Sequence, residues 1–174
     1  FGGAYGTRYV HAHDPLQLQG YGAVVVAAAA AASSGLHPAY VDVEDSHFED
    51  AAGGSGAALA VLGGYRTSVA LRRMTMSRGR AESAGGGVFV GGYLDELRIE
   101  DSVVSDNAAA QTQTNVTGPV GGVCLAGGAS RVRLARSALE RNAAAVGGAL
   151  AAGWVDSFEA ANTSLSHNTA AVVL

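Results

Sequence analysis

Carboxylates crowd one stretch of the chain, where Asp95, Glu96, Glu100, Asp101 and Asp106 lie within a dozen residues, with Arg98 and Arg133 near them. Two carboxyl groups about 5 to 9.5 Å apart on one face, one with a raised pKa, would suit glycoside hydrolysis. A calcium-holding acidic cluster, or an Arg base beside acidic-sugar contacts, would suit a polysaccharide lyase. His11 and His13 fall on one side of an extended segment ahead of Asp14, the start of a metal site in residue type. No third ligand is identifiable, and solvated loop histidines are the simpler reading. The single Cys124 excludes an internal disulfide framework and clustered-cysteine zinc sites and reads as a small buried hydrophobe. Gly85-Gly86-Gly87 is not a phosphate loop, since no Gly-Lys-Ser/Thr follows it. Asn115-Val116-Thr117 and Asn162-Thr163-Ser164 are glycosylation sequons, usable if the chain is secreted. No cofactor and no resident metal are expected.

Whatever positions these groups is built from small residues. Of 174 positions, 35 are Ala and 25 are Gly, so a conventional large-residue core is excluded. With 48% apolar and 15% charged residues the chain still falls outside the disordered class and should fold. All 11 basic residues are Arg, none is Lys, and the formal net charge is −4, which argues against a nucleic-acid surface or a polybasic membrane anchor. A GC-rich coding bias, as in green algae, would produce such an Arg-only composition. The longest uncharged apolar stretch, Tyr21 to Gly35, is shorter than the roughly 20 residues that span a bilayer. A start at Phe1 and a finish at Leu174 on an apolar run suggest a piece of a longer protein, so the lack of a signal peptide says little.

The chain repeats itself. Gly121-Gly122-Val123-Cys124-Leu125, followed by Val132, Leu134, Ser137, Leu139 and Asn142, returns as Gly147-Gly148-Ala149-Leu150-Ala151, followed by Phe158, Ala160, Thr163, Leu165 and Asn168. The shift is 26 residues at each position. An earlier copy runs from Gly86-Gly87 through Leu97, Ile99, Ser102 and Val104 to Asn107, its exit lengthened by the polar stretch 111–119. Two degenerate copies precede it: Val69, Leu71, Met74, Met76 and Gly79, and Val41, Val43, Ser46, Phe48 and Ala51. The opening of the Val41 copy, Tyr21 to Val24, is set apart by the insert 27–39. Short strands of period two, recurring at such intervals with Gly, Asn and Ser at the corners, describe a solenoid whose strands stack on those of the next coil.

Equivalent residues in adjacent coils would lie about 4.8 Å apart, so like charges there would repel. Three columns alternate in sign: Asp45, Arg73, Asp101, Arg136, Asn162; Glu44, Arg72, Glu100, Ala135, Ala161; and Asp50, Arg78, Asp106, Arg141, His167. Exposed pairs stabilise by only about 0 to 1 kcal/mol each, so the pattern specifies register more than stability. Three apolar columns should fill the interior: Val41, Val69, Leu97, Val132, Phe158; Val43, Leu71, Ile99, Leu134, Ala160; and Phe48, Met76, Val104, Leu139, Leu165. Asn107, Asn142 and Asn168 form a structural column at a corner, where Asn tolerates left-handed backbone angles and Gly79 replaces it. The Gly-Gly pairs read as turns or sites of close backbone approach.

Gly-Gly-Ala/Val plus aliphatic (Gly121 to Cys124, Gly147 to Leu150), together with aliphatic-x-x-Asn (Val104 to Asn107, Leu139 to Asn142, Leu165 to Asn168), resembles the repeats of the polymorphic outer membrane protein family. Similar repeats occur in large secreted or surface proteins of algae and other eukaryotes. The resemblance covers roughly residues 21–174. It implies a right-handed parallel β-helix of the pectin-lyase-like type, displayed outside the cell for adhesion or as a structural stalk. The chain departs from the pattern in having Leu or Val where Phe is usual, and in lacking Asn in its first two copies.

The expected architecture is therefore all-β: a right-handed parallel β-helix (solenoid) of about five coils over residues 21–174, with residues 1–20 as a partial coil or strap and lateral loops at 27–39 and 111–119. The expected role is a non-enzymatic rigid scaffold or interaction rod, extracellular or at the cell surface. Its partners would be flanking coils of the same chain, other protein chains of an assembly, or glycans, with no nucleic acid and no membrane contact. A carbohydrate-binding adhesin module is the alternative, and a lyase or hydrolase on this superfold a more distant one.

Overall fold

The computed structural model describes residues 7–8, 24–28, 39–63, 67–110 and 120–170. Every regular element among them is a strand. After β1 (Thr7–Arg8), the chain winds through five coils of four strands each. These are β2 (Val24–Ala28), β3 (Ala39–Glu44), β4 (His47–Glu49) and β5 (Ala52–Ser55); β6 (Leu59–Gly63), β7 (Thr67–Arg72), β8 (Thr75–Ser77) and β9 (Arg80–Ala84); β10 (Val88–Val90), β11 (Leu94–Glu100), β12 (Val103–Ser105) and β13 (Ala108–Ala109); β14 (Val123–Leu125), β15 (Ala129–Ala135), β16 (Ala138–Glu140) and β17 (Ala143–Ala144); and β18 (Leu150–Ala152), β19 (Val155–Ala161), β20 (Ser164–Ser166) and β21 (Thr169–Ala170).

Each strand pairs in parallel with its equivalent one coil away, so the molecule is a four-faced β-solenoid. The long face is β1-β3-β7-β11-β15-β19, and the other three faces are five strands deep. From β2 to β18 the chain makes four full turns, a rise of about 19 Å at about 4.8 Å per coil. β1 pairs with the outer edge of β3, Thr7 beside Val41, in the place a preceding long strand would take.

The alternation in the long strands produces the face expected of it: in β7, buried Thr67, Val69 and Leu71 alternate with half-buried Ser68, Ala70 and Arg72. All three apolar columns stack in the expected register, Leu97 on Val69 and Val132, and Val104 on Met76 and Leu139. The interior is larger than those three columns. The fourth face, β2-β6-β10-β14-β18, adds Leu59, Val61, Val88, Val90, Val123 and Leu125, and Leu94 and Met74 join the same core. Ala57, Ala81 and Ala109 form a smaller buried cluster, with Ala51 and Ala144 packed against it. Burying a Leu or Val stabilises by about 1.5 to 3 kcal/mol, so the middle coils are the best-held part of the solenoid.

Two corners turn on single left-handed residues that are not glycine. Asp45, Arg73, Asp101, Arg136 and Asn162 separate the long strand from the short one, and Asp50, Arg78, Asp106, Arg141 and His167 separate the short strand from the third, all with φ between 48° and 58°. Such angles cost a non-glycine residue about 1 to 2 kcal/mol. Hydrogen bonds to the next coil offset that cost: Asp45 N–H donates to Arg72 O at 3.1 Å, Arg73 to Glu100 at 3.0 Å, Asp101 to Ala135 at 3.0 Å and Arg136 to Ala161 at 3.0 Å.

Four expectations are corrected. The left-handed residue is the one preceding each Asn, so Asn107, Asn142 and Asn168 do not occupy that conformation, and neither does Gly79. A Cβ at Gly79 would instead strike the Gly86 carbonyl and approach Asn107 Oδ1 to 2.8 Å. The Gly-Gly opening of the last coil is shifted by 27 residues rather than 26, since Val123 pairs with Leu150 and Val120 with Gly147. The next connection restores the register, because three residues, Ala126 to Gly128, join β14 to β15 whereas two, Gly153 and Trp154, join β18 to β19. Ala27, Ala28 and Ala39 of the expected 27–39 loop lie in β2 and β3. The rest of that loop and the 111–119 loop lie outside the described residues. Finally, Phe158 and Leu165 reach the ends of their columns 49% exposed, because no described strand covers the last coil.

Candidate functional site

At the two corners the charged columns meet in pairs. Arg73 Nε and an Nη donate to both oxygens of Asp45 at 2.6 and 2.8 Å, and Arg136 does the same to Asp101. At the second corner Arg78 grips Asp50 and Arg141 grips Asp106, each at 2.7 and 2.8 Å. The two-pronged geometry matches guanidinium to carboxylate, the strong form of this contact. Consequently the carboxyls of Asp50, Asp101 and Asp106 are held below their ordinary value, chiefly by hydrogen bonds from Arg78, Arg136 and Arg141. The Arg73 and Arg78 guanidiniums are shifted upward by the same contacts. His167 and Asn162 end the two columns, with no ion-pair partner among the described residues.

One residue after each corner, the side chain turns inward. At the first corner Ser102 Oγ donates to Glu100 O at 2.6 Å and accepts the Met74 N–H at 3.0 Å, and Ser137 Oγ repeats this with Ala135 O and the Ser102 N–H. At the second corner the buried carboxamides form a continuous chain. Asn107 Oδ1 accepts the Gly79 N–H at 2.8 Å, and Asn107 Nδ2 donates to Met76 O and to Asn142 Oδ1, each at 3.0 Å. Asn142 donates in turn to Val104 O at 2.9 Å and to Asn168 Oδ1 at 3.1 Å, and Asn168 Nδ2 reaches Leu139 O at 2.7 Å. These contacts satisfy N–H and C=O groups that the corner withdraws from the ladder.

On the outward side of the long face, Arg72 reaches Asp42 at 2.7 Å, Glu44 at 3.1 Å and Glu100 at 3.7 Å. Arg98 and Arg133 are register neighbours of like charge. Glu96 Oε1 lies between them, 3.2 Å from Arg98 and 3.6 Å from Arg133, and Arg133 Nε also meets Glu159 at 3.0 Å. Of the carboxylates first considered for acid–base work, Glu96, Glu100, Asp101 and Asp106 are thus all in contact with Arg. Asp95 is exposed, with no hydrogen-bond or ion-pair partner among the described residues.

Cys124 is buried between Phe89 and Ala151 on the fourth face, and burial pushes its thiol up to about 11. Asn162 of the second sequon is exposed at its corner, and Thr163 Oγ1 donates to Ala161 O at 3.0 Å. His11, His13 and Asn115 lie outside the described residues. Among the described residues there is no group of three or more His, Cys, Asp or Glu placed to hold a metal ion. One pairing was not read from the sequence at all: Tyr93 and Trp154, whose rings are 5.8 Å apart between centres and within 24° of parallel, with Tyr93 Oη 2.7 Å from Ser130 Oγ. The available signal was positional, since both residues immediately precede a long strand. No protein-family model, curated protein or solved structure matches this chain.

Proposed function

We propose that this β-solenoid is a structural segment, a rigid scaffold or interaction rod in a larger extracellular or surface-exposed assembly, and that it is not an enzyme. The observation that carries this is the use made of its polar side chains. Asp–Arg pairs at both corners, the Ser hydroxyls and the Asn carboxamides are all spent on contacts between coils, where each joins one turn to the next. A carboxylate gripped by Arg with a lowered pKa is a poor general acid, which supports a non-catalytic reading of Asp101 and Asp106. The repeat resemblance supports the extracellular setting and the adhesion or stalk role, and a green-algal source accords with the Arg-only composition.

Single-molecule pulling of the whole chain from its two termini tests the scaffold role. A rod held by stacked ladders resists until it gives way in force-bearing events that each release the length of one or more coils. Smooth extension without force peaks would contradict it.

A further inference from the structure

We propose that Tyr93 and Trp154, rimmed by Asp95, Ser130, Arg131 and Asp156, form a lateral binding site for a neutral pyranose unit of an oligosaccharide. The two aromatic residues belong to coils two steps apart, a rise of about 9.6 Å, yet their ring centres are 5.8 Å apart. The intervening coil makes room by carrying Gly127 and Gly128 at that place. A Cβ on Gly127 would come within 2.7 Å of Tyr93 N, and one on Gly128, where φ is +86°, would come within 3.0 Å of Trp154 N and closer still to its carbonyl oxygen. The rings therefore close over a coil stripped of side chains.

This aromatic pair is not a core element. Trp154 is 54% exposed, and the Tyr93 hydroxyl is anchored by Ser130. Leu94, Ala129 and Val155 are register partners on the long face, with Leu94 and Ala129 buried and Val155 packed against the core. Asp95, Ser130 and Asp156 follow them directly, and Arg131 comes next, paired in register with Glu96 and Ser157. Asp95, Arg131 and Asp156 are exposed and have no hydrogen-bond or ion-pair partner among the described residues, in contrast to the corner charges.

A stacked aromatic pair with its Trp154 ring half-exposed, bordered by uncommitted carboxylates and a guanidinium, matches one ligand chemistry well. The C–H groups of a pyranose face carry positive partial charge and settle on the negative face of an aromatic ring. Sugar hydroxyls donate to carboxylates and accept from Arg, in charge-assisted hydrogen bonds. Two Asp against one Arg disfavours a uronate or sulfated sugar, and a single stacked pair lacks the several enclosing ring faces that hold a quaternary ammonium ion. The scaffold reading does not depend on this site.

Trp154 is the only tryptophan, so its fluorescence reports on the site directly. The whole chain is titrated with neutral β-linked hexaoses of glucose, galactose, mannose and xylose, with oligogalacturonate, and with choline. A saturable change in Trp154 emission with at least one neutral hexaose, tighter than with oligogalacturonate or choline, is the expected result. Calorimetric titration should then show Trp154→Ala and Tyr93→Ala weakening that binding at least tenfold and the Asp156→Asn, Arg131→Gln double variant several-fold, with circular dichroism unchanged. No response to any neutral hexaose, tighter binding of oligogalacturonate or choline, or undiminished binding by Trp154→Ala would each overturn the proposal.

Discussion

Asn107 Nδ2 donates to Asn142 Oδ1 across 3.0 Å of the buried interior, and the backbone N–H of Asn107 shares the same oxygen at 3.1 Å. One carboxamide thus serves two donors of the preceding coil while its own nitrogen serves the Val104 carbonyl and Asn168. Replacing Asn142 by Ala strands several buried polar groups at once, at about 1 to 3 kcal/mol for each group left unsatisfied. Asn142→Ala should cost about 3 kcal/mol, read as a fall in denaturation midpoint at constant m. Asn168→Ala, on the last described coil where this residue is only half-buried, should cost about 1 kcal/mol, because water can replace its bonds. Equal costs at the two sites would deny the ladder its role.

Charge order at the first corner should matter more than the identity of any member. Asp101→Arg places three guanidiniums in succession at positions 73, 101 and 136, and should lower the thermal midpoint. Inverting the whole column, Asp45→Arg, Arg73→Asp, Asp101→Arg and Arg136→Asp, preserves alternation and should recover most of the loss. Thermal melts of the two variants decide the matter, and a quadruple variant less stable than Asp101→Arg would contradict it.

The lowered pKa values of Asp50, Asp101 and Asp106 carry a sign. A carboxylate that ionises more readily when folded adds stability above its ordinary value of 3.8, and that contribution is lost as pH falls through the depressed folded value. Stability should therefore hold from neutral pH down to about 5 and then decline as the solution is acidified further. Replacing the three Asp by Asn should flatten the decline, as followed by urea denaturation at stepped pH.

Cys124, buried with its thiol raised to about 11, should resist alkylation at pH 8 in the folded chain. Iodoacetamide should label it only on global unfolding, so the labelling rate should track the unfolding midpoint. Labelling as fast as a free thiol would place Cys124 at the surface.

Register on the long and short strands was legible because large apolar residues and signed charges label it: Leu97 has one sensible neighbour above it, and Arg136 seeks Asp101. The Gly-Gly segment carries no such labels. Gly121 and Gly122 stack as readily on Gly147-Gly148 as on Gly148-Ala149, and a one-residue exchange between flanking connections decided the outcome. The Asn column was found but misread, since its spacing reveals a corner without revealing which residue bends and which turns inward. That assignment follows from the left-handed angle at Asp106, Arg141 and His167. Tyr93 and Trp154 escaped notice because the residue between them in space is Gly128, which contributes nothing to a pattern.

Distance between spin labels on the first and last coils tests the stacked solenoid most directly. His47 and Ser164 are exposed and share one column through Thr75, Val103 and Ala138, four coil steps in all. In a Cys124→Ala background, labels at His47→Cys and Ser164→Cys should give a narrow distribution centred near about 19 Å, broadened by the label arms. A broad distribution, or one centred beyond about 30 Å, would contradict the coil-on-coil stacking of equivalent strands about 4.8 Å apart.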